Sequence, residues 1–185
     1  MYETILSFWF GPQTGVERPE WFRKDDAFDA EIRARFGEAI DVALAGGYQD
    51  WCASPRGSLA RVIVLDQFTR NVFRGTPRAF AGDAQALATS QHAIARDDDH
   101  ALIAVERWFL YMPFQHSEDV AVQRRSIELF SRLAEETGLA SPLDWARRHT
   151  VIIERFGRFP HRNAILGRAS TPEEEVFLRQ PGSSF

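Results

Sequence analysis

Apolar residues in this chain recur at intervals of three and four positions, and this helical spacing constrains the fold more strongly than any other feature. It is clearest in a stripe whose neighbours are mostly charged: Phe28, Ile32, Phe36, Ile40 and Ala43. Such a stripe predicts an amphipathic helix with one face against a core. Residues 59–68 are apolar nearly all round and predict a buried helix. Because no segment shows convincing strand alternation of apolar and polar residues, we predict an all-α fold.

Hydroxyl residues followed by proline mark the expected helix starts. Each of four pairs places a capping hydroxyl before a proline at the first helical position: Ser54-Pro55, Thr76-Pro77, Ser141-Pro142 and Thr171-Pro172. Glu174 adds a capping box to the last of them. Pro113 is expected to end the helix that includes residues 104–112, and Ser117 to cap the next one. The pattern predicts an array of seven or eight short helices, packed as antiparallel or right-angled pairs.

The size, charge and cysteine content of the chain limit its classes of function. Its 185 residues have the length of one domain, so we predict a single helical domain over residues 1–185. A net charge of -4 argues against non-specific nucleic-acid binding, which requires a basic field. No apolar run approaches the roughly 20 residues that cross a bilayer, and the first residues do not read as a signal peptide. Because the single cysteine, Cys52, suits a reducing compartment, we expect a cytoplasmic protein with no membrane partner.

One polar phrase occurs twice in the chain. The stretches DQFTRNVFRGTP (66–77) and RFPHRNAILGRASTP (158–172) both run from phenylalanine to Arg-Asn, two apolar residues, a glycine and a Thr-Pro pair. In the first copy, helical spacing places Asp66 and Arg70 on the face that Leu59 directs to the core. An unpaired charge there costs several kcal/mol, so Asp66 requires a partner, and Arg70 is the local candidate.

Four segments spread over most of the chain carry a resemblance to a known family: ILSFWFG (5–11), LDQFTRNVFRGTPRAFAGD (65–83), FLYMPFQHSED (109–119) and ERFGRFPHRNAILGR (154–168). Together they resemble a bacterial family known as domain of unknown function 924, whose fold is similar to tetratricopeptide-repeat (TPR) helical arrays. The resemblance implies an all-helical, TPR-like fold. It implies no activity.

Polar residues that do not suit a core suggest a binding cleft. The second phrase concentrates arginines and a histidine in a loop that suits a carboxylate or phosphate, since guanidinium groups bind such anions through paired hydrogen bonds. We predict that both phrases face one cleft that binds a small anionic or polar metabolite. Its candidate ligand-binding residues are Asp66, Arg70, Asn71, Glu118, Asp119, Gln123, Arg158, His161, Arg162 and Asn163. His116, beside two carboxylates, is the candidate catalytic acid or base, although the sequence names no reaction.

Two other interpretations of these residues stay open. In the first, the chain is a TPR-like module that binds a peptide or another protein, and the Arg-Asn loops are structural. In the second, His116, Glu118 and His161 form a two-histidine, one-carboxylate metal site. Helix capping explains Glu118 more simply, so we predict no metal and no other cofactor. His149 lies in register with apolar residues and is expected to belong to the core.

Overall fold

Eight helices and several short 3₁₀ turns build the protein, which is described here by a computed structural model of residues 1–12 and 15–184. The third helix contains a π-helical turn, and we count its consecutive pieces as one element. The helices are α1 (Tyr2–Phe10), α2 (Asp26–Leu44), α3 (Pro55–Val62, then the π-helical turn Ile63–Phe68, then Thr69–Val72), α4 (Asp83–Ala95), α5 (Ala104–Gln115), α6 (Val120–Thr137), α7 (Ser141–Phe156) and α8 (Pro172–Leu178). The described residues contain no strand, which confirms the all-α prediction and the number of helices.

The helix starts agree with the sequence at some positions and differ at others. Ser54 accepts a hydrogen bond from the backbone N–H of Gly57, and Thr171 forms the predicted capping box with Glu174. The prediction for Ser117 was wrong, because Asp119 caps α6 by accepting from the first free backbone N–H groups of the helix. The Asp119 carboxylate therefore takes the capping role. The Ser117 hydroxyl instead accepts from the backbone N–H of Asp119, which precedes the helix.

Pro113 does not end its helix, contrary to the sequence prediction. It lies inside α5, which continues to Gln115. A proline removes one backbone N–H and so costs the helix one hydrogen bond, to the carbonyl four residues earlier. Only two residues follow Pro113 in α5, so the loss falls at the end of a helix whose residues from Val105 to Gln115 are all buried. Tertiary packing therefore outweighs the local effect of the proline.

An aromatic core joins the first three helices to α5. Trp9 of α1 contacts the rings of Phe68 on α3 and Phe109 on α5, with ring centroids 5.7 and 5.5 Å apart. Phe36 of α2 stacks on Phe68 from the other direction at 5.2 Å. Fully burying side chains of this size stabilises the fold by about 1.5–3 kcal/mol each. A smaller cluster, formed by Ile152, Ile153 and Phe159, anchors the loop after α7.

The π-helical turn of α3 brings the start of α4 against it. All six residues of the turn are buried, and π-helical turns occur frequently at functional sites. Gly82, which precedes α4, lies so close to the turn that a Cβ atom there would be 2.1 Å from the carbonyl oxygen of Leu65. A glycine is therefore required at this contact. The contact positions Asp83, the first residue of α4, beside Arg70.

Among the described residues, none of the helices is both long enough and apolar enough to cross a membrane.

Candidate functional site

Asp66 is a fully buried carboxylate around which several predicted site residues gather. It lies on the π-helical turn, and its Oδ1 is 2.7 Å from Nδ1 of His116 and 3.0 Å from Nη1 of Arg70. Gln67 donates to its other oxygen. Burial raises the pKa of Asp66, but the charge of Arg70 and the contact with His116 outweigh burial and hold that pKa below its usual range. Asp66 is therefore ionised at neutral pH.

Asp83 joins the two arginines of the repeated phrase. Arg70 donates to both carboxylate oxygens of Asp83, at 2.8 and 3.1 Å. Nη1 of Arg162 reaches the same carboxylate at 3.5 Å. Both guanidinium groups also lie against the ring of Phe80, at 5.7 Å for Arg70 and 4.8 Å for Arg162. The two arginines, distant in sequence, therefore share one acidic and one aromatic neighbour.

Arg162 is the least neutralised charge in this group. Its side chain is only 8% exposed, and within residues 1–12 and 15–184 its single polar contact is the one with Asp83. Its Nε is buried and has no acceptor in the part of the chain that the structure describes. The ring of Phe159 lies 4.4 Å from the guanidinium carbon. Burial, together with the charge of Arg70, lowers the pKa of Arg162 to about 10, so the group remains charged at neutral pH.

Three imidazoles lie beside the arginines. The rings of His116 and His149 are 6.1 Å apart, and Phe159 lies 5.6 Å from His149 and 5.6 Å from His161. Burial lowers the pKa of His116 despite its carboxylate neighbours. Burial and the neighbouring His116 lower the pKa of His149 to about 3, and burial with Arg162 lowers that of His161 to about 4. All three imidazoles are therefore neutral at pH 7.

The contact with Asp66 fixes the tautomer of His116. An ionised carboxylate can only accept, so Nδ1 of His116 must carry the proton that it donates to Asp66. Nε2 then keeps its lone pair, as it does in a histidine oriented by a carboxylate in an enzyme active site. The side chain of His116 is 10% exposed, so solvent reaches part of the ring. We call Asp66, Arg70, Asp83, His116 and Arg162 the arginine–histidine cluster.

Three predicted ligand-binding residues lie outside this cluster and hold other parts of the fold. Asn71 donates to Asp29 of α2 at 2.6 Å. Arg158 pairs with both carboxylate oxygens of Glu174, at 2.7 and 2.8 Å, and Asn163 donates to the same carboxylate at 3.3 Å. The two Arg-Asn phrases thus direct their arginines to one place and their asparagines to two different ones.

The remaining predicted residues have partners that explain them structurally. Glu118 accepts from Arg168 at 2.6 and 3.0 Å and from the backbone N–H of Phe159 at 2.8 Å, so it ties the second phrase to the end of α5. Asp119 caps α6, and the amide of Gln123 donates to the carbonyls of Gln115 and Ser117 at 2.7 Å each.

Sequence reasoning missed Asp83 and Phe80, although both belong to the segment 65–83 that carries the family resemblance. An aspartate in the first turn of a helix is common, because its negative charge interacts favourably with the helix dipole. The position of Asp83 alone therefore does not indicate a site. The glycine before it was the available signal, since Gly82 marks a close backbone approach.

The metal set that the sequence left open as an alternative consists of His116, Glu118 and His161. Glu118, the carboxylate of the considered metal set, is paired with Arg168. In the described part of the chain, a group of possible ligands lies elsewhere, at Asp97, Asp99 and His100. There Asp99 already accepts from Tyr111 and, at 2.8 Å, from Arg132.

Two surface cavities lie away from the arginine–histidine cluster. One, of about 600 Å³, is lined by Phe8, Arg18 and Arg35 among others; a second, of about 350 Å³, is lined by Arg33, Asn71 and Arg74. Neither includes Arg70, Arg162 or His116. The cluster is instead a mostly buried group that solvent reaches at Arg70 and Asp83, whose side chains are 20% and 23% exposed.

Comparisons with known proteins identify relatives but no activity. Residues 5–182 match the family described as bacterial protein of unknown function (DUF924). A solved structure of a protein of unknown function from Agrobacterium tumefaciens is similar, with a TM-score of 0.86 and 42% sequence identity over 96% of each chain. A comparison with curated proteins gives no match.

Proposed function

We propose, from the premise that this chain belongs to the DUF924 family of bacterial proteins, that it binds a small anionic metabolite at the arginine–histidine cluster. Arg162 would receive the anion, with Arg70 and Asp83 beside it. The observation that supports the proposal is the incomplete neutralisation of Arg162: the carboxylate that it reaches is 3.5 Å away and is already paired with Arg70.

Burial makes the incomplete pairing of Arg162 costly. A buried charge costs several kcal/mol unless it is paired and hydrogen-bonded. A buried donor without an acceptor, such as Nε of Arg162, costs a further 1–3 kcal/mol, approximately. Proteins retain such groups where they serve a purpose, and a bound anion would supply the acceptor that Nε lacks among the described residues. The neighbouring π-helical turn is a second feature that is frequent at functional sites.

His116 would be the acid or base at this site if the bound molecule is transformed. Its Nδ1 is held by Asp66, and its neutral Nε2 is the free basic nitrogen. A positioned imidazole of this kind typically contributes 10²–10⁴-fold to a proton transfer, as an order of magnitude.

A thermal-shift titration with sodium acetate, sodium phosphate and sodium sulfate, at fixed ionic strength, tests the proposal. Binding stabilises by about 2.7 kcal/mol at a ligand concentration of 100 Kd, which for a chain of this size raises Tm by several degrees. We expect the shift in the wild type and its loss in Arg162→Gln. Arg124→Gln is the matched control, because Arg124 is 70% exposed and its contact with Glu154 is long, at 3.7 Å. The absence of a shift in the wild type with every anion would refute the proposal.

The structural roles of Asn71, Arg158 and Asn163 favour the alternative, a TPR-like protein-interaction module whose polar residues hold the fold together. The same titration distinguishes the two. In the alternative, Arg162→Gln lowers Tm without any anion, and no anion raises the Tm of the wild type.

A further inference from the structure

The charges of the arginine–histidine cluster already balance before any ligand binds. Arg70 and Arg162 contribute two positive charges, and Asp66 and Asp83 contribute two negative ones. The adjoining pair, Glu118 with Arg168, is also balanced. A singly charged anion therefore adds one uncompensated charge to a mostly buried group, and a doubly charged anion adds two. Since the cost of burying charge rises steeply with its amount, the cluster favours a monoanion.

The geometry of Arg162 selects the shape of that anion. Nη1 is directed to Asp83, and the buried Nε, which has no acceptor among the described residues, shares the other edge of the planar guanidinium with Nη2. Two parallel N–H groups on one edge match the two oxygens of a carboxylate. The half-buried ring of Phe80, at 4.8 Å from the guanidinium carbon, offers aromatic contact to an apolar substituent on such a molecule.

We propose that the anion bound by Arg162 is a monocarboxylate, and that His116 takes up one proton from solvent when it binds. The inference rests on the proposed function, and it adds the chemical class of the ligand and its coupling to pH. The uptake restores the charge balance: the ligand brings one negative charge, and the imidazolium brings one positive charge.

His116 is the histidine best placed to take the proton. Its Nδ1 lies 2.7 Å from a carboxylate oxygen of Asp66, and this carboxylate stabilises the charged form of the imidazole. Among the described residues, the other titratable and charged groups that act on it or lie beside it are Arg70 on α3, Asp83 on α4, His149 on α7 and His161 after α7. Glu118 lies two residues along the chain. Arg70 opposes protonation, and Asp66 and Asp83 together favour it.

Asp83 limits the affinity for the anion in this scheme. It is an internal carboxylate that competes for Arg162. Replacing it with asparagine leaves the cluster with one excess positive charge. The variant Asp83→Asn should therefore bind a carboxylate about tenfold more tightly, and its binding should depend less on pH because the proton is no longer needed.

Titration of ¹⁵N-labelled protein with sodium acetate, acetamide and sodium sulfate tests the inference by NMR. The signals to follow are the Nε–H of Arg162, assigned from its loss in Arg162→Gln, and the ring nitrogens of His116. We expect acetate to bind at least tenfold more tightly than sulfate, and acetamide, its neutral isostere, not to shift the Arg162 signal. The ring nitrogens of His116 should move to imidazolium positions on saturation. The affinity for acetate should fall up to tenfold per pH unit between pH 6 and 8.

Each outcome decides a separate part of the inference. If sulfate binds more tightly than acetate, the site binds anions but does not prefer monocarboxylates. The proposed function would then stand, and the proposed class of ligand would be wrong. If acetate binds while His116 stays neutral, the proposed proton uptake is wrong. Absence of binding by either anion would refute the proposed function itself. These results come from titrations of the wild type, so they hold even if Asp83→Asn folds poorly. Asp144→Asn, at an exposed position, is the control for the change of charge in Asp83→Asn.

Discussion

The guanidinium of Arg162 lies 3.5 Å from the carboxylate of Asp83, which is already paired through both oxygens with Arg70. One carboxylate thus serves two arginines that come from the two copies of the repeated phrase. Because Asp83 cannot give both of them short paired hydrogen bonds, the arginine that lies deeper, Arg162, is left with the weaker contact. This unequal sharing, and the buried groups that surround it, determine how the protein should respond to pH and to substitution.

Asp66 should stabilise the fold in a manner that depends on pH. Its pKa is lowered in the folded state, so its contribution is present above about pH 4, the value for an unfolded aspartate, and is lost as pH falls toward the folded pKa. Asp66→Asn removes one partner of a buried pair and should lower the free energy of unfolding at pH 7 by about 3–5 kcal/mol. Urea unfolding at pH 7 and pH 3 measures both effects. A variant that loses as much stability at pH 3 as at pH 7 would contradict the assignment.

Gly82→Ala tests the close contact between α4 and the π-helical turn. The added Cβ would lie 2.1 Å from the Leu65 carbonyl oxygen, so one backbone segment must move, at a cost of about 1–3 kcal/mol. Gly37→Ala is the matched control, because its Cβ would meet no atom within 4 Å in the middle of α2. There alanine should stabilise by up to about 1 kcal/mol. Chemical denaturation of the two variants should therefore give changes of opposite sign.

The fold and the candidate site differ in how far the sequence could predict them. Helical spacing predicted the all-α fold, and the i, i+4 relation of Asp66 and Arg70 predicted their ion pair, because both depend on local geometry. The partners of Asn71 and Asn163 could not be read in the same way, since each depends on which helix packs nearby. The two Arg-Asn dipeptides therefore have different surroundings. The π-helical turn could not be predicted either, because its apolar pattern is the same as that of an ordinary buried helix.

The buried histidines should make the protein sensitive to mild acid. The pKa values of His149 and His161 are about 3 and 4, well below the unfolded value near 6.5. Between these values the unfolded chain takes up protons that the folded chain does not, so stability falls as pH decreases from 6.5, by up to about 1.4 kcal/mol per pH unit for each group. His149→Gln should reduce this slope, whereas His92→Gln, at an exposed position, should not. Urea unfolding at pH 7, 6 and 5 gives the slopes, and equal slopes in the wild type and His149→Gln would contradict the prediction.

Arg162→Lys separates the charge of this side chain from its shape. Lysine keeps a positive charge but is a point charge, and it cannot present two parallel N–H groups to one carboxylate. If Arg162 binds the anion through its Nε–Nη2 edge, Arg162→Lys should bind acetate at least tenfold more weakly than the wild type. The free energy of unfolding without ligand should change by less than that of Asp66→Asn, because the substitution weakens a hydrogen bond to Asp83 that is already long, at 3.5 Å. NMR titration and urea unfolding of the same preparation measure the two quantities. A variant that binds acetate normally but unfolds far more easily would mean that Arg162 holds the fold together and does not select the ligand.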